Sequence, residues 1–134
     1  MSKNITIICG EFHKKEVTEM LEEARRVAGE NNLHIAEEIW VNGSYEKPLA
    51  LKRVLQKETT DAVVLLGIIE RGETKHGLIM GHTVLQAVIN LELEFMKPVG
   101  IGILGPEILP SQIPSRLLPT AKKAVLAVAR MLEK

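Results

Sequence analysis

The chain has 134 residues, with 17 Lys and Arg balanced by 17 Asp and Glu. A formal net charge of zero gives no overall field to recruit nucleic acid or an anionic membrane, and aromatic residues at 3% are too few for base-stacking platforms. The single Cys9 excludes an internal disulfide and a multi-cysteine metal cluster, and we expect it to be a buried thiol. The length suits one domain, residues 1–134. Without a signal-peptide pattern or an apolar run that could span a bilayer, the expected compartment is the cytoplasm.

The first half of the chain alternates short β-branched runs with segments of helical periodicity. Residues 5–9 predict a buried strand, and residues 14–29 repeat apolar side chains at helical spacing, which predicts a helix. Residues 33–41 predict the second strand. A second helix is expected from about 45 to 57, where Pro48 falls near the first turn and a missing N–H costs little.

The second half of the chain repeats the same alternation. Residues 62–69 predict the third strand, and residues 76–96 predict the longest helix. Residues 98–104 predict the fourth strand. The segment 105–119 contains four prolines and is expected to be a stiff loop, and residues 120–133 predict the last helix.

Strands that alternate with helices predict an α/β fold with a four-stranded parallel sheet. Right-handed crossovers place helices on both faces of such a sheet, which gives a single three-layer domain of the flavodoxin-like type. Ligands of open parallel sheets bind beyond the carboxyl ends of the strands. In this sequence the segments expected there are 10–13, 42–46, 69–76 and the chain from 104 onward.

The segment Gly67–His76 has the features of an anion site beside a base. It follows a buried strand and leads into the longest predicted helix, whose first N–H groups and positive dipole end attract anions. Thr74 adds a hydroxyl, and His76 adds a group that can move protons near neutral pH. The segment therefore suggests chemistry on a phosphorylated small molecule.

The predicted helix 76–96 is apolar around much more than one stripe of its surface. A single sheet covers only one side of a helix, so the additional apolar surface indicates a second contact. We therefore expect an oligomer whose subunits pack through this helix.

Three sequences at the predicted strand ends resemble motifs of the 6,7-dimethyl-8-ribityllumazine synthase family. That family has a Phe-Asn pair after the first strand, where this chain has Phe12-His13. It has Val-Pro-Gly-Ala/Ser-Phe/Tyr-Glu-Ile/Leu-Pro after the second strand, where residues 41–48 read Val-Asn-Gly-Ser-Tyr-Glu-Lys-Pro. It has Gly-x-Val-Ile-Arg-Gly-Glu/Ala-Thr-x-His after the third strand, where residues 67–76 read Gly-Ile-Ile-Glu-Arg-Gly-Glu-Thr-Lys-His. The likeness covers nearly the whole chain, and the short C-terminal part looks most like archaeal members.

The resemblance implies a transferase of riboflavin biosynthesis. Family members condense 5-amino-6-(D-ribitylamino)uracil with 3,4-dihydroxy-2-butanone 4-phosphate, with loss of phosphate and water, and use no metal or organic cofactor. Their subunits form pentamers, alone or assembled into larger shells, and two neighbours share each site. The implied partners are therefore two small-molecule substrates and further copies of the chain, with neither nucleic acid nor a membrane.

Carried over residue by residue, the motifs imply three groups of site residues. Phe12 would stack on the pyrimidine ring. The residues expected to bind that substrate are Phe12, His13, Ser44, Tyr45, Glu46, Ile69 and Glu70. The phosphate would be held by Gly72, Glu73 and Thr74 and by the guanidinium of Arg116 from a neighbouring subunit. His76 would be the catalytic residue, because it could move protons during imine formation and phosphate loss.

The chain departs from the family pattern at a few of these positions. The departures are His13 for Asn, Asn42 for Pro, Lys47 for an apolar residue, Glu70 for an apolar residue near the heterocycle, and Ile101 for an aromatic of many bacterial members. A carboxylate at Glu70 would cost desolvation energy unless a cation pairs with it. Arg71 and Lys47 are the expected partners.

Two alternatives within the fold remain open, and a third lies outside the family. An archaeal-type riboflavin synthase relative would act on two lumazines, which carry no phosphate, so the retained 72–74 loop and His76 count against it. A non-catalytic shell-forming or ligand-binding relative is suggested by the departures at 47, 70 and 101. A receiver-type signalling domain would need an acidic cluster after the first strand, where Glu11 stands alone.

Overall fold

The computed structural model describes residues 2–134, so residue 1 of the predicted domain lies outside the described part. Four strands form one sheet in this part of the chain, and every neighbouring pair is parallel. They are β1 (Lys3–Gly10), β2 (Leu33–Val41), β3 (Ala62–Glu70) and β4 (Val99–Ile108), in the spatial order β2-β1-β3-β4. The predicted parallel sheet is therefore confirmed.

Helices cover both faces of the sheet, which confirms the predicted three-layer α/β architecture. They are α1 (Lys14–Glu30), α2 (Lys47–Leu55), α3 (His76–Phe95) and α4 (Leu117–Leu132). Successive side chains of β3 point to opposite faces. Val64 and Leu66 lie in the core packed by α1 and α4, whereas Val63 and Leu65 lie in the core packed by α2 and α3. Because β3 is buried on both sides, its sequence is apolar throughout instead of alternating.

The predicted stiff loop from 105 to 119 is wrong in its bounds. β4 continues four residues beyond Leu104, through the cis Gly105–Pro106 bond, because Ile108 still pairs with β3. The Arg71 N–H donates to the Ile108 carbonyl at 2.7 Å, which holds this extension in the sheet. Two short 3₁₀ turns at 110–112 and 114–116 then lead into α4, which begins at Leu117 and not at 120.

Other predicted bounds are wrong by small amounts. α2 begins at Lys47, because residues Ser44–Glu46 form a separate 3₁₀ turn, and it ends at Leu55. α3 ends at Phe95, one residue early, because Met96 takes a left-handed conformation with φ 52°. β3 and α1 each run one residue further than predicted.

Cys9 is a fully buried thiol on β1, as predicted. Burial raises the pKa of this thiol to about 12, and the Glu38 carboxylate acts in the same direction. A thiol held protonated in this way is a packing residue and a weak nucleophile.

The outer side of α3 carries exposed apolar side chains, which confirms the predicted excess of apolar surface. Ile79 is 60% exposed and Leu93 is 64% exposed, while Val84 and Val88 of the same helix lie in the core. None of the helices in residues 2–134 is long and apolar enough to cross a membrane.

Candidate active site

A cleft opens at the carboxyl edge of the sheet, where the predicted ligand-binding segments meet. Its volume is about 260 Å³, and its walls are formed by Phe12, Asn42, Gly43, Ser44, Tyr45, Glu46, Ile68 and Met80. Four of the predicted substrate-binding residues therefore line one cleft: Phe12, Ser44, Tyr45 and Glu46. Phe12 and Tyr45 are 56% and 48% exposed, so each presents an apolar face outward.

Four residues of this wall were not predicted as site residues: Asn42 and Gly43, which lie in the predicted 42–46 segment, and Ile68 and Met80. Met80 lies four residues after His76 on α3, so i, i+4 spacing on the helix could have identified it. The prediction named Ile69 instead of Ile68. The structure places the Ile69 side chain in the core packed by α2 and α3, one step along the strand from the cleft.

The turn after β1 brings Phe12 and His13 to the cleft. His13 is the N-cap of α1 and has a left-handed backbone with φ 59°. Asn and His tolerate this conformation better than most residues, which explains why His can stand where the family pattern has Asn. The Phe12 and His13 rings meet edge to face, with centroids 4.4 Å apart.

Glu70 pairs with His13, and the expected pairing with Arg71 or Lys47 is wrong. His13 Nε2 lies 3.1 Å from Glu70 Oε1, with both side chains about one quarter exposed. His13 Nε2 does not meet the geometry of a hydrogen bond, so the two side chains are in polar contact without an aligned hydrogen bond. Arg71 instead lies 3.4 Å from Glu107. Two departures from the family pattern, at 13 and 70, are therefore in contact.

The loop between β3 and α3 lies beside the cleft. Its residues Gly72, Glu73 and Thr74 are exposed, and a Cβ added at Gly72 would meet nothing within 4 Å. The Thr74 hydroxyl accepts a hydrogen bond from the His76 backbone N–H at 3.3 Å, so Thr74 helps to cap α3. The remaining N–H groups of the first turn of α3, a helix of 20 residues, face this loop without a helical partner.

His76 connects this loop to the cleft. Its ring is exposed and lies 6.0 Å, centroid to centroid, from the Tyr45 ring of the cleft wall. The structure thus brings the predicted proton-transfer residue to the border between the apolar cleft and the helix N-terminus. An imidazole in this position can reach a ligand that spans both parts.

Arg116 is exposed at the N-cap of α4. Among residues 2–134, no hydrogen bond or ion pair joins it to the 72–76 loop. The structure of one protomer therefore does not connect Arg116 to the other predicted site residues.

Lys47 is the unexpected feature of this region. Its side chain is 1% exposed, although it stands in the first turn of a helix. Its Nζ donates to the Ser44 hydroxyl at 3.3 Å, and burial lowers the pKa of Lys47 to about 8. The sequence showed Lys47 only as a departure from the family pattern, because nothing local to it indicates burial.

Among residues 2–134, no three His, Cys, Asp or Glu side chains are arranged to hold a metal ion. The site combines an aromatic and apolar cleft, a helix N-terminus, an exposed imidazole and a buried amine.

Comparison with known proteins identifies a family that this chain resembles over its length. A family model described as 6,7-dimethyl-8-ribityllumazine synthase matches residues 2–134. A 6,7-dimethyl-8-ribityllumazine synthase of Methanoculleus marisnigri is 36% identical over 135 residues, which cover 100% of this chain and 98% of the relative. The same-named protein of Saccharolobus islandicus is 34% identical, with 99% of this chain and 86% of the relative covered.

A further relative of the same name, from Metallosphaera sedula, is 35% identical over 97% of this chain and 86% of its own length. The matches extend over all four strands and all four helices, and so include every segment of the cleft. They confirm the resemblance found in the strand-end motifs. The chain belongs to the 6,7-dimethyl-8-ribityllumazine synthase family, a family of transferases of riboflavin biosynthesis.

Proposed function

We propose that this protein condenses 5-amino-6-(D-ribitylamino)uracil with 3,4-dihydroxy-2-butanone 4-phosphate to form 6,7-dimethyl-8-ribityllumazine. One observation carries the proposal beyond family membership: His76 stands between an aromatic cleft and a helix N-terminus, 6.0 Å from Tyr45. A planar heterocycle fits the first part and a phosphate fits the second. The two substrates then meet beside the imidazole.

The cleft is assigned to the ribitylaminouracil. Phe12 offers an apolar face for stacking on the pyrimidine, and Tyr45 closes the opposite part of the wall. Ser44 and Glu46 supply a hydroxyl and a carboxylate for the polar edge of the ring and for ribityl hydroxyls. We further assign the His13–Glu70 pair and the backbone at Ile69 to the border of this subsite, where the ribityl chain requires hydrogen-bonding groups.

The loop 72–74 is assigned to the phosphate of the four-carbon substrate. Exposed backbone N–H groups at the start of α3, the Thr74 hydroxyl and the positive end of the helix dipole all favour an anion there. Glu73 contributes through its backbone, since its carboxylate would repel a phosphate. The guanidinium of Arg116 from a neighbouring subunit completes this subsite as a bidentate donor.

His76 is assigned the proton transfers. Attack of the 5-amino group on the ketone forms a C–N bond and requires that the nitrogen lose a proton and the oxygen gain one. Loss of phosphate requires removal of a proton from the adjacent carbon. An imidazole titrates near neutral pH and can serve in both directions, and such a group typically contributes about 10²–10⁴-fold to the rate. Holding two substrates together contributes a further part.

The proposed assembly is a homo-oligomer, either a pentamer or a pentamer-based shell. The exposed side chains on the outer face of α3 and the exposed faces of Phe12 and Tyr45 support it, because a neighbouring subunit would cover them. The assembly also supplies Arg116 to the site. Light scattering should give a mass that is a multiple of five subunits, and a monomer at micromolar concentration would contradict this assignment. The cytoplasm remains the compartment predicted from the sequence.

The activity is tested by a steady-state assay with both substrates. The proposal predicts saturable formation of the lumazine with each substrate, at a rate well above that of the uncatalysed reaction. A folded oligomer with no turnover above background would exclude it. Formation of riboflavin from the lumazine alone would identify the protein as a riboflavin synthase relative instead.

A further inference from the structure

Lys47 is a buried cation with no carboxylate partner among the described residues. Its side chain is 1% exposed, and the hydrogen bond found for its Nζ goes to the neutral Ser44 hydroxyl at 3.3 Å. An ammonium group buried without a counter-charge is costly to the fold, and a well-packed apolar side chain of similar size would be preferred on stability alone. A group that the fold does not need at this position calls for a functional explanation.

The space for the Lys47 side chain is created by two glycines at the carboxyl edge of the sheet. A Cβ added at Gly10, the last residue of β1, would lie 2.8 Å from Lys47 Nζ, and a Cβ at Gly67 of β3 would also collide with it. The lysine therefore runs from the first turn of α2 across the ends of two adjacent strands. Its amine ends within hydrogen-bond distance of the Ser44 hydroxyl.

The Ser44 hydroxyl connects this amine to the cleft. Ser44 lines the cleft together with Phe12, Tyr45 and Glu46, and it is itself 6% exposed. A hydroxyl donates and accepts at the same time, so it can receive a proton from Nζ while it passes its own proton onward. A single hydroxyl group, that of Ser44, therefore connects the Lys47 amine to the cleft.

We propose that Lys47 is a positioning residue that acts through Ser44: it orients the Ser44 hydroxyl toward the cleft and exchanges a proton with the bound substrates. This inference rests on the proposed function and adds a second proton-transfer group to it, in addition to His76. Condensation of an amine with a ketone needs one group that gives a proton and another that takes one at each of two steps.

The two steps balance with these two groups. In the first step, the amine nitrogen bonds to the carbonyl carbon, the carbonyl oxygen takes a proton from Ser44 and thereby from Lys47, and the nitrogen gives a proton to His76. In the second step, His76 returns its proton to the new hydroxyl, which leaves as water. The C=N bond forms as the nitrogen gives its remaining proton through Ser44 back to Lys47. Both groups end the cycle as they began it.

The charged and titratable groups around Lys47 support this assignment. Burial is the main influence and lowers the pKa of Lys47 to about 8, while Cys9 on β1 and Glu46 in the preceding 3₁₀ turn act in the opposite direction. The amine therefore holds a proton at neutral pH but can release it far more readily than an exposed lysine. A proton donor works best when its pKa lies near the working pH.

The test compares the pH dependence of kcat in the wild type with that of K47M and S44A. Methionine fills a similar volume without a charge, and S44A leaves the lysine in place while it removes the connecting hydroxyl. We expect each variant to remain folded and oligomeric and to lose about 10²-fold in kcat. K47M should keep the KM for both substrates within a few-fold, whereas S44A also removes a substrate-binding hydroxyl and should raise the KM for the uracil substrate. Each should also lose the ionisation near pH 8 that the wild type shows.

The double variant K47M/S44A should be no slower than either single variant, because both changes break the same relay. The control is K52M, which removes an exposed lysine from the same helix and should behave as the wild type. Two results with an active wild type would overturn the inference and leave the proposed function standing. One is a pH profile of kcat that K47M shares with the wild type. The other is a loss of kcat in the double variant equal to the product of the two single losses. A wild type without turnover would overturn the proposed function itself.

Discussion

His13 Nε2 lies 3.1 Å from Glu70 Oε1, so two of the positions at which the chain departs from the family pattern are in contact. Glu70 is the last residue of β3 and His13 follows β1, and the pairing of these strands brings them together. The His13 ring gives the partly buried Glu70 carboxylate a polar neighbour. Each residue is therefore explained by the presence of the other.

This relationship predicts that changes at the two positions are not additive. E70I should leave His13 without its partner, and H13N should leave Glu70 as an unpaired carboxylate, so each should raise the KM for the uracil substrate. The double variant H13N/E70I has the residue types of the family pattern at both positions. Its KM for the uracil substrate should be closer to that of the wild type than the KM of either single variant. Urea denaturation should give a coupling energy of about 0.5–1 kcal/mol, since the pair is partly screened by solvent. If the effects of the two substitutions on KM and on stability simply add, the contact contributes neither to substrate binding nor to stability.

Replacement of His76 should reduce the rate without reducing stability. H76Q removes the proton-transfer group but changes an exposed side chain that packs against little, so kcat should fall about 10²–10⁴-fold while the denaturation midpoint stays unchanged. H34Q is the matched control, because His34 is an exposed histidine at the opposite, amino end of β2. Equal losses in H76Q and H34Q, or full activity in H76Q, would remove His76 from the mechanism.

Gly72 offers a test of the phosphate loop that does not disturb the protomer. A Cβ at Gly72 meets nothing within 4 Å, so G72A should fold as the wild type does. A phosphate held by the loop backbone approaches closely, and the added methyl group should raise the KM for the phosphorylated substrate by about tenfold, which corresponds to about 1.4 kcal/mol of binding energy. The KM for the uracil substrate should change little.

The control for this variant is G29A. Gly29 of α1 also has free space around its Cβ position, and alanine there should stabilise the helix by about 0.5–1 kcal/mol with no effect on either KM. If G72A changes neither KM, the phosphate lies elsewhere.

The buried amine of Lys47 predicts a specific dependence of stability on pH. The pKa of Lys47 is about 8 in the folded chain, against an ordinary value of 10.5. Between these pH values the unfolded chain binds more protons, so the free energy of unfolding rises with pH, by on the order of 3 kcal/mol in total. K47M lacks this contribution. It should be more stable than the wild type at pH 7, and the difference should shrink as the pH rises through 8 to 10.

At higher pH, the Cys9 thiol makes the free energy of unfolding fall as the pH rises. Its pKa rises from 9.0 to about 12 on folding, so above about pH 9 the unfolded thiol loses its proton first and stability declines. Between pH 8 and 9, of these two groups only Lys47 changes the stability with pH. Above pH 9, the wild type and K47M share the contribution of Cys9. Urea denaturation at fixed protein concentration measures the difference between them. A variant K47M that is less stable than the wild type at pH 7 would mean that the lysine serves the fold.

The order of strands and helices could be predicted from the sequence because each core strand is a compact β-branched run and each helix repeats apolar residues at its own period. The end of β4 could not, because Gly105 and Pro106 are typical of a turn. The pairing of Ile108 with Glu70 that extends the strand depends on a distant segment. The strand-end motifs placed Phe12, Ser44, Tyr45 and Glu46 at one edge of the sheet, and the cleft contains all four.

The parts of the site that escaped prediction depend on contacts between distant segments. The partner of Glu70 was sought among nearby cations, whereas His13 reaches it through the β1–β3 pairing. Lys47 resembles an ordinary solvated residue of a first helical turn. Its burial follows from Gly10 and Gly67, which lie on different strands and meet only in the folded sheet.

The central claim is that this protein joins the two substrates at a site that holds a heterocycle and a phosphate together. The most direct measurement is the stoichiometry of products, with the lumazine followed by its absorbance and phosphate followed in the same reaction. We expect one phosphate to be released for each lumazine formed, at a rate proportional to protein concentration. Phosphate release without lumazine formation, or no release above background by the folded oligomer, would contradict it.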